Sequence, residues 1–321
     1  YNDYTSGKIS LEEMTKHEGC LYGSAGACPI MGTANTCQTV TEALGIALPN
    51  SASCLGVSAE KLRISEETGR KAVELVNKNI KCLDIINEKS VENAIRVLMA
   101  TGGSTNLIIH LIAIARRANI DLTLDDFERI SKETPVLVNV KPHGTENVGM
   151  GFHNAGGVAS LMKEMEHMLN GECLTVSGKT VSENLKEIDM PYDKNTIRPL
   201  DHPIEEKGGI AVLYGNLAPN GAVIKRSAAS TRLLKHRGPA KVFENLTECQ
   251  KYLLDENSDI TPDTVIVLRG YGPKGAPGMP ENGNFMPLPP KLNKMGISHF
   301  VRITDARMSG GCFGTQVLHV A

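Results

Sequence analysis

One cysteine, Cys28, stands in a stretch of small residues, SAGACPIMGTANTC (24–37). A thiolate is a soft metal ligand or a nucleophile, and small residues let other groups approach the backbone closely. Pro29 after the cysteine and Gly26 two residues before it favour a loop rather than a core helix for the thiol. The local sequence therefore permits a metal ligand at Cys28, and a buried structural thiol is the ordinary alternative.

A second candidate is the carboxylate at the end of RGYGPKGAPGMPE (269–281), where the glycines follow a predicted strand with the spacing G-x-G-x-x-G. A dinucleotide-binding motif of this spacing opens a helix, and the prolines that follow forbid one, so a nucleotide site is disfavoured. The stretch instead predicts a rigid loop that presents Glu281. A carboxylate is a hard oxygen ligand that suits Mg²⁺, and a solvated glutamate in an exposed turn is the alternative.

A third candidate is Ser309, in the segment HFVRITDARMSGGCFG (299–314). The pattern predicts a strand that breaks into a glycine-rich turn carrying Asp305, Arg307 and Ser309, and such strand ends commonly present reactive groups. Arg307 stands where a nucleophile elbow has its first glycine, so an α/β-hydrolase is disfavoured. An ordinary turn hydroxyl is the alternative for Ser309.

The segment TGGSTN (101–106) permits two interpretations. Consecutive backbone N–H groups at a helix start form an anion-binding nest. The same residues also suit a simple glycine break between two packed helices, and the local sequence leaves both open.

The composition narrows the class of ligand. The 321 residues carry 34 basic and 36 acidic side chains, interspersed, with a net charge of −2 and 41% hydrophobic residues. A hydrophobic content this high excludes a disordered chain. The interspersed charges form no basic patch that could bind nucleic acid or an anionic membrane, so a small-molecule ligand is predicted. Eight scattered cysteines without a CxxC pair, no signal peptide and no membrane span predict a soluble, cytoplasmic protein.

The elements that must position these residues divide the chain into a helix-rich half and a strand-rich half. A polar, proline-punctuated stretch at 186–209 separates them, so domains are predicted at 1–200 and 201–321 in an α/β fold. The periodicity predicts helices at 10–17, 34–48, 58–79, 90–103, 104–120, 155–169 and 245–255, and strands at 135–140, 210–215, 221–226, 240–245, 263–270 and 299–305.

Five blocks, in order along nearly the whole chain, carry a resemblance to one family. They are SAGACPIMGTANTCQTVTEALGIALP, SVENAIRVLMATGGSTNLIIHL, GNLAPNGAVIK, RGYGPKGAPGMPE and VRITDARMSGGCFGTQVLHVA. Together they closely resemble the dihydroxy-acid dehydratase and phosphogluconate dehydratase family. The block DARMSG is more similar to the sugar-acid (aldonate) dehydratases than to the branched-chain amino-acid enzyme, which usually reads DGRFSGG.

The resemblance implies a helix-rich α/β N-terminal domain, here incomplete, and a β-barrel-like swivelling β/β/α C-terminal domain that continues past Ala321. It implies an iron–sulfur cluster held by three cysteines, of which Cys28 is the third, and a Mg²⁺ site that includes Glu281. Ser309 falls on the proposed base. The other two cluster cysteines and the remaining magnesium ligands are expected upstream of Tyr1. A 2Fe–2S cluster is favoured over 4Fe–4S, although thiolates hold both types.

The predicted activity is dehydration of a 2,3-dihydroxy acid to a 2-keto acid, with a sugar acid as the substrate. The branched-chain dihydroxy-acid dehydratase reaction is the alternative. A non-catalytic truncated remnant that binds an acid ligand or a partner is the hypothesis from another class. The resemblance also implies a homo-oligomer, either a dimer or a tetramer.

Overall fold

The computed structural model describes residues 1–22, 25–191, 193–276, 281, 286–309 and 314–321. The chain forms two compact units, Ser24–Ile210 in one and Tyr1–Gly23 with Ala211–Ala321 in the other. Among the described residues, no helix is long and apolar enough to cross a membrane.

The described helices are α1 Asn2–Thr5, α2 Leu11–Gly19, α3 Thr33–Ala43, α4 Ala59–Asn77, α5 Cys82–Ile85, α6 Glu88–Ala100, α7 Asn106–Arg117, α8 Leu124–Glu133, α9 Gly157–Glu164, α10 Val181–Leu185, α11 Leu246–Leu254 and α12 Pro290–Lys294. The described strands are β1 Ile210–Gly215, β2 Ala218–Lys225, β3 Ala240–Phe243, β4 Val265–Leu268, β5 Val301–Thr304 and β6 Gln316–Leu318. This mixed content confirms the predicted α/β class.

Local side-chain bonds explain where several helices begin. The Ser10 hydroxyl accepts from the Glu13 backbone N–H, and the Glu13 carboxylate accepts from the Ser10 N–H, a capping box that starts α2. Ser58 caps α4 by accepting from the N–H of Lys61. These caps were readable in the sequence, and the predicted helix starts agree with them.

One helix ends earlier than its apolar pattern predicts. The prediction extends to residue 48, but α3 ends at Ala43. Gly45 adopts a left-handed backbone conformation with φ +87°, which terminates the helix, and an added Cβ there would lie 3.2 Å from the Leu174 carbonyl oxygen. The glycine therefore also permits a close approach of a distant loop.

The predicted strand at 135–140 is extended and buried but belongs to no sheet. Val136, Val138 and Val140 each make an isolated bridge, to Glu205, Ile197 and Glu146 respectively. Because the three bridges go to different segments, no ladder forms between two continuous strands. The valines still fill the core of this unit, where they are fully buried.

The segment TGGSTN is the break between α6 and α7 and is buried throughout. A Cβ added to Gly103 would lie 2.5 Å from Cγ2 of Thr36 on α3. The hydroxyl of Thr36 also accepts from the Ser104 N–H at 3.0 Å. The structure therefore favours the glycine break between packed helices, because Gly103 is needed for the contact with α3.

The other unit is built on a six-stranded sheet with the order β1-β2-β6-β5-β4-β3. Strands β3, β4, β5 and β6 run parallel, and β2 runs antiparallel to β6. The register pairs Leu268 of β4 with Thr304 of β5, so the chain segments after these two residues leave the sheet at the same edge. Closure of this sheet into a barrel stays a prediction.

The first residues of the chain pack on α12 in this second unit. The Asn293 side-chain amide donates to the Asn2 carbonyl at 2.9 Å and to the Ser6 hydroxyl at 2.8 Å, and its oxygen accepts from Lys8 Nζ. This buried hub explains why the N-terminal segment belongs with residues that follow it by nearly 300 positions.

Glu42 is a buried ionisable group near the end of α3, with 6% of its surface exposed. One carboxyl oxygen accepts from the Asn50 N–H at 2.9 Å and the other from the Ala52 N–H at 3.0 Å. Burial raises the pKa of Glu42 from 4.5 to about 7, and the two backbone bonds and Lys61 offset only part of that effect.

We expect this carboxyl to make the free energy of unfolding decrease as pH rises. Below pH 4.5 it is protonated in both states, and the stabilisation from the raised folded-state pKa is lost as pH rises to about 7. The loss amounts to about 3 kcal/mol. Urea unfolding of the wild type and Glu42→Gln at pH 4.5 and 7.5 measures it. The Gln variant should lack this component, and an identical pH dependence in both proteins would contradict the assignment.

Candidate functional site

Asp305 follows β5 directly and holds the loop that follows β4. Its carboxylate accepts from the backbone N–H groups of Gly270 at 3.1 Å, Tyr271 at 3.1 Å and Gly272 at 3.0 Å. Consecutive N–H groups pointing to one side form an anion nest, and here the anion is a side chain of the same chain. The two loops are thereby locked together beyond the last paired residues of the sheet.

The three bonds from the loop after β4 to Asp305 are called the Asp305 clamp below. The glycines of the G-x-G-x-x-G spacing make room for it. A Cβ on Gly272 would lie 2.9 Å from the Asp305 carbonyl oxygen, and a Cβ on Gly275 would lie 2.2 Å from the Gly270 carbonyl oxygen. Gly270 has φ +81°, a conformation that side chains disfavour. Residues 272–276 form a turn, as predicted for a loop at this point, and residues 277–280 lie outside the described residues.

Glu281 is paired with Arg307. Arg307 Nη1 donates to Glu281 Oε1 at 2.7 Å, and the two residues also form a parallel backbone bridge. The side chains are 22% and 33% exposed, so this pair is screened less than one on the open surface. The solvated-turn alternative for Glu281 therefore does not describe this carboxylate.

Ser309 lies two residues after this bridge. Ala306 and Met308 are fully buried, whereas Arg307 and Ser309 are half-buried, which is the alternation of an extended chain with one face inward. Arg307 and Ser309 therefore share the outer face, with their Cα atoms about 7 Å apart along an extended chain. The Glu281–Arg307 pair lies at the edge of the sheet where β4 and β5 end, and Ser309 follows Arg307 by two residues on the same face; these three residues are called the cluster below.

Cys28 lies in the unit of residues 24–210, in the loop before α3. Its thiol donates to the Ile30 carbonyl at 3.6 Å. The buried Asn35 side chain donates to the Cys28 carbonyl at 2.5 Å and to the Ile30 carbonyl at 2.7 Å. Asn35 therefore sets the conformation of the loop, while the half-buried Cys28 thiol remains at its surface.

Asn35→Asp is expected to loosen the Cys28 loop, because a carboxylate cannot donate to the two carbonyl oxygens and repels them. The cost is about 1–3 kcal/mol of local stability. Alkylation of Cys28, followed by mass spectrometry, should become faster. The exposed Cys82 provides an internal reference whose rate should not change. Equal Cys28 rates in both proteins would show that Asn35 does not hold the loop.

Cys28 and Glu281 are donors of the types that suit the two metal groups that the resemblance implies. A thiolate suits an iron–sulfur cluster and a carboxylate suits Mg²⁺. Among residues 1–22, 25–191, 193–276, 281, 286–309 and 314–321, however, no three His, Cys, Asp or Glu side chains come together as a metal site. The described residues therefore build neither site by themselves, and Cys28 and Glu281 are at most one ligand each.

The structure thus places two of the three predicted site residues, Glu281 and Ser309, in one cluster, and describes Cys28 in the other unit. Sequence reasoning missed two partners, the Asp305 clamp and the Arg307 ion pair with Glu281. An aspartate directly after a parallel strand, with G-x-G after the neighbouring strand, was the available signal for the clamp. Cys312 lies outside the described residues.

Comparison with known proteins covers both halves of the chain. The family model for the dihydroxy-acid/6-phosphogluconate dehydratase N-terminal region matches residues 1–184, and that for the C-terminal region matches residues 195–321. The L-arabinonate dehydratase of Rhizobium leguminosarum bv. trifolii is 43% identical over 318 residues, which are 98% of this chain and 54% of that protein.

Other relatives are named for the alternative reaction, dihydroxy-acid dehydration. The dihydroxy-acid dehydratase of Methanosphaera stadtmanae is 41% identical over 319 residues, 98% of this chain and 56% of that protein. The chain spans about half the length of the curated relatives it matches. Because the two family models together match most of the chain, the family predicted from the sequence is confirmed: the chain belongs to the dihydroxy-acid/6-phosphogluconate dehydratase family.

Proposed function

We propose that the protein acts as a hydro-lyase that removes water from a 2,3-dihydroxy acid to give a 2-keto acid, with a sugar acid (aldonate) as its substrate. The observation that supports it most is the Glu281–Arg307 bridge, which brings a carboxylate and the Ser309 hydroxyl to one edge of the sheet in a chain of this family. The reaction needs a proton acceptor beside charged groups that orient an acid, and this cluster offers both.

In this proposal the deprotonated Ser309 Oγ takes the proton from C2 of the substrate and the C3–O bond breaks. The departing hydroxide then takes that proton from Ser309 and leaves as water, which restores the deprotonated serine, and the enol product tautomerises to the 2-keto acid. A serine hydroxyl is a weak base at neutral pH, so nearby positive charge must stabilise its deprotonated form. Arg307, on the same outer face, contributes such charge. Glu281 holds the Arg307 guanidinium in place through the bond to Nη1.

The cofactors remain part of the proposal. Cys28 would supply one ligand to an iron–sulfur cluster, of the 2Fe–2S type in preference to 4Fe–4S, and Glu281 one ligand to Mg²⁺. The described residues do not complete the site of either group. The cytoplasmic location and the homo-oligomer also stay predictions.

The substrate assignment has one alternative, which the names of the relatives support as well as they support the aldonate. Relatives at 41–43% identity are named for dihydroxy-acid dehydratase as well as for L-arabinonate dehydratase. A dehydratase of the branched-chain amino-acid precursor is therefore the second candidate. A pocket for a sugar acid needs side chains that bond hydroxyl groups, whereas the other pocket is apolar.

The test is 2-keto acid formation by the anaerobically reconstituted intact gene product that contains this chain, with an aldonate and with a 2,3-dihydroxy-3-methyl acid in separate reactions. We expect faster product formation from the aldonate. The reverse order would select the alternative substrate. A non-catalytic chain would form no product from either acid, and that result would overturn the proposal.

Iron and acid-labile sulfide per chain, measured on the same intact gene product, provide the matching cofactor measurement. Cys28→Ser should lose both, and Cys82→Ser, which changes an exposed thiol, should retain them. If Cys28→Ser retains the wild-type iron and sulfide content, Cys28 is a structural thiol and not a cluster ligand.

A further inference from the structure

His153 forms side-chain hydrogen bonds through both of its ring nitrogens. Nδ1 lies 3.2 Å from the Ser53 hydroxyl oxygen, and Nε2 lies 2.9 Å from Glu60 Oε2. An ionised carboxylate only accepts hydrogen bonds, so Nε2 donates to Glu60, and in the neutral ring Nδ1 accepts from Ser53. Ser53 is only 5% exposed, so water does not readily replace the bond that it makes.

The backbone before His153 is bonded to the loop that carries Cys28. Val148–Phe152 form a single π-helical turn, in which the His153 N–H donates to the Val148 carbonyl at 3.0 Å. The Val148 N–H donates in turn to the carbonyl of Pro29, the residue after Cys28, at 2.8 Å. Single π-helical turns are rare and occur frequently at functional sites. His153 is therefore connected to the Cys28 loop through one residue, Val148.

The segment that carries Ser53 contacts the same loop on the other side of Cys28. A Cβ added to Gly56 would lie 3.3 Å from the Ala25 carbonyl oxygen and 3.5 Å from the Gly26 Cα atom. Glycine at this position permits the close approach of the two backbones. The Cys28 loop is therefore held before the cysteine by the segment after Ser53, and after the cysteine by the π-helical turn.

We propose that the Ser53–His153 hydrogen bond positions the Cys28 thiol, because it joins the two segments that hold the Cys28 loop. The contacts form a closed ring: from the loop through Val148 to His153, across the bond to Ser53, and through Gly56 back to the loop. All of these residues belong to the unit of residues 24–210. Ring closure restricts the loop more than either contact by itself.

His153 is therefore a positioning residue, and this inference rests on the proposed function only because Cys28 is proposed there as a cluster ligand. A metal ligand must be held in place by the residues around it, and hydrogen bonds behind the ligand do this in many sites. Glu60 orients the His153 ring but lies outside the closed ring of contacts. The two hydrogen bonds of His153 therefore have different consequences for Cys28.

Alkylation of Cys28, followed by mass spectrometry on the metal-free intact gene product that contains this chain, measures how firmly the thiol is held. We expect Ser53→Ala and His153→Ala to raise the rate at Cys28 about ten-fold relative to the exposed Cys82. His167→Ala, which changes an exposed histidine in the same unit, should leave the rate unchanged. Wild-type rates at Cys28 in both Ser53→Ala and His153→Ala would overturn the proposal.

Two further variants separate positioning from a general loss of stability. Glu60→Ala removes the other bond of His153 and leaves the closed ring intact, so Cys28 should react at nearly the wild-type rate. The side-chain oxygen of asparagine can accept from Ser53, so His153→Asn should restore the slow alkylation that His153→Ala loses. Cys173, which is buried in the same unit, reports unfolding of that unit and should stay slow in every variant.

The contrary pattern is equally specific. If Glu60→Ala exposes Cys28 as much as Ser53→Ala does, if asparagine at position 153 gives no protection, or if Cys173 reacts faster in parallel with Cys28, the role of His153 is purely structural. Any of these results contradicts the proposal.

Iron and acid-labile sulfide per chain, after reconstitution and gel filtration, measure the consequence for the cluster. We expect Ser53→Ala to lose both and Glu60→Ala to retain them. If Cys28→Ser itself retains wild-type iron and sulfide, the cofactor assignment in the proposed function fails. The alkylation rates still decide whether the Ser53–His153 bond positions the thiol, because they are measured without the metal.

Discussion

Ser309→Ala is expected to lower the rate of 2-keto acid formation by about 10²- to 10⁴-fold, the usual contribution of a general acid or base. The expectation rests on the proposed function. The hydroxyl lies on the outer face of an extended segment whose inward residues, Ala306 and Met308, are fully buried. Because the backbone is fixed by these neighbours, the variant should keep its fold and its iron content while it loses turnover.

The measurement is the initial rate at saturating substrate, with iron per chain determined on the same sample. Ser230→Ala, a serine in the same unit that lies outside this cluster, is the matched control and should keep the wild-type rate. A Ser309→Ala protein with an undiminished rate would remove Ser309 from the mechanism. A variant that loses both iron and turnover would assign Ser309 to cofactor retention instead.

Asp305→Ala is expected to release the loop after β4. The substitution removes the acceptor of three backbone N–H groups, those of residues 270, 271 and 272. Hydrogen bonds to a charged acceptor are stronger than bonds between neutral groups. Because the loop is partly exposed, water bonds to some of the released N–H groups, and the expected cost is about 2–4 kcal/mol of unfolding free energy. The rate should fall as well, since this loop leads to Glu281.

Urea denaturation measures the stability, and hydrogen exchange at the amides of residues 270–272 locates the change. Glu244→Ala is the matched control, because Glu244 pairs with Arg269 beside the same loop but on the open surface, where such pairs contribute about 0.2–1 kcal/mol. The unfolding free energy of Asp305→Asn should lie between those of Asp305→Ala and Glu244→Ala, since the amide nitrogen of Asn cannot accept a hydrogen bond. Equal stability of Asp305→Ala and Glu244→Ala would show that the clamp is not a major interaction.

Secondary structure was predictable where the local signal was strong. The strand prediction at 210–215 agrees with β1 residue for residue, and the capped start of α4 at Ser58 agrees with the predicted start of that helix. Helix α8 was missed, although Thr123 and Asp126 form a capping box there. Strand β6 was missed because three residues are too few for a pattern, and only its pairing with β5 and β2 defines it.

The candidate site residues were proposed from the sequence, but their contacts were not. Sequence patterns and resemblance pointed to Cys28, Glu281 and Ser309, and the prolines excluded a nucleotide motif. The pairing of Glu281 with Arg307 spans 26 positions, and no local rule links a loop carboxylate to one particular guanidinium at that separation.

The sequence by itself determined the family, through the resemblance of five blocks along the chain. It also determined the α/β class and the residue types available for chemistry, because these follow from spacing, composition and short-range backbone preferences. Tertiary structure decided which anion fills the glycine-rich nest and which partner Glu281 takes. Both depend on strand register and packing, which bring together residues far apart in the chain.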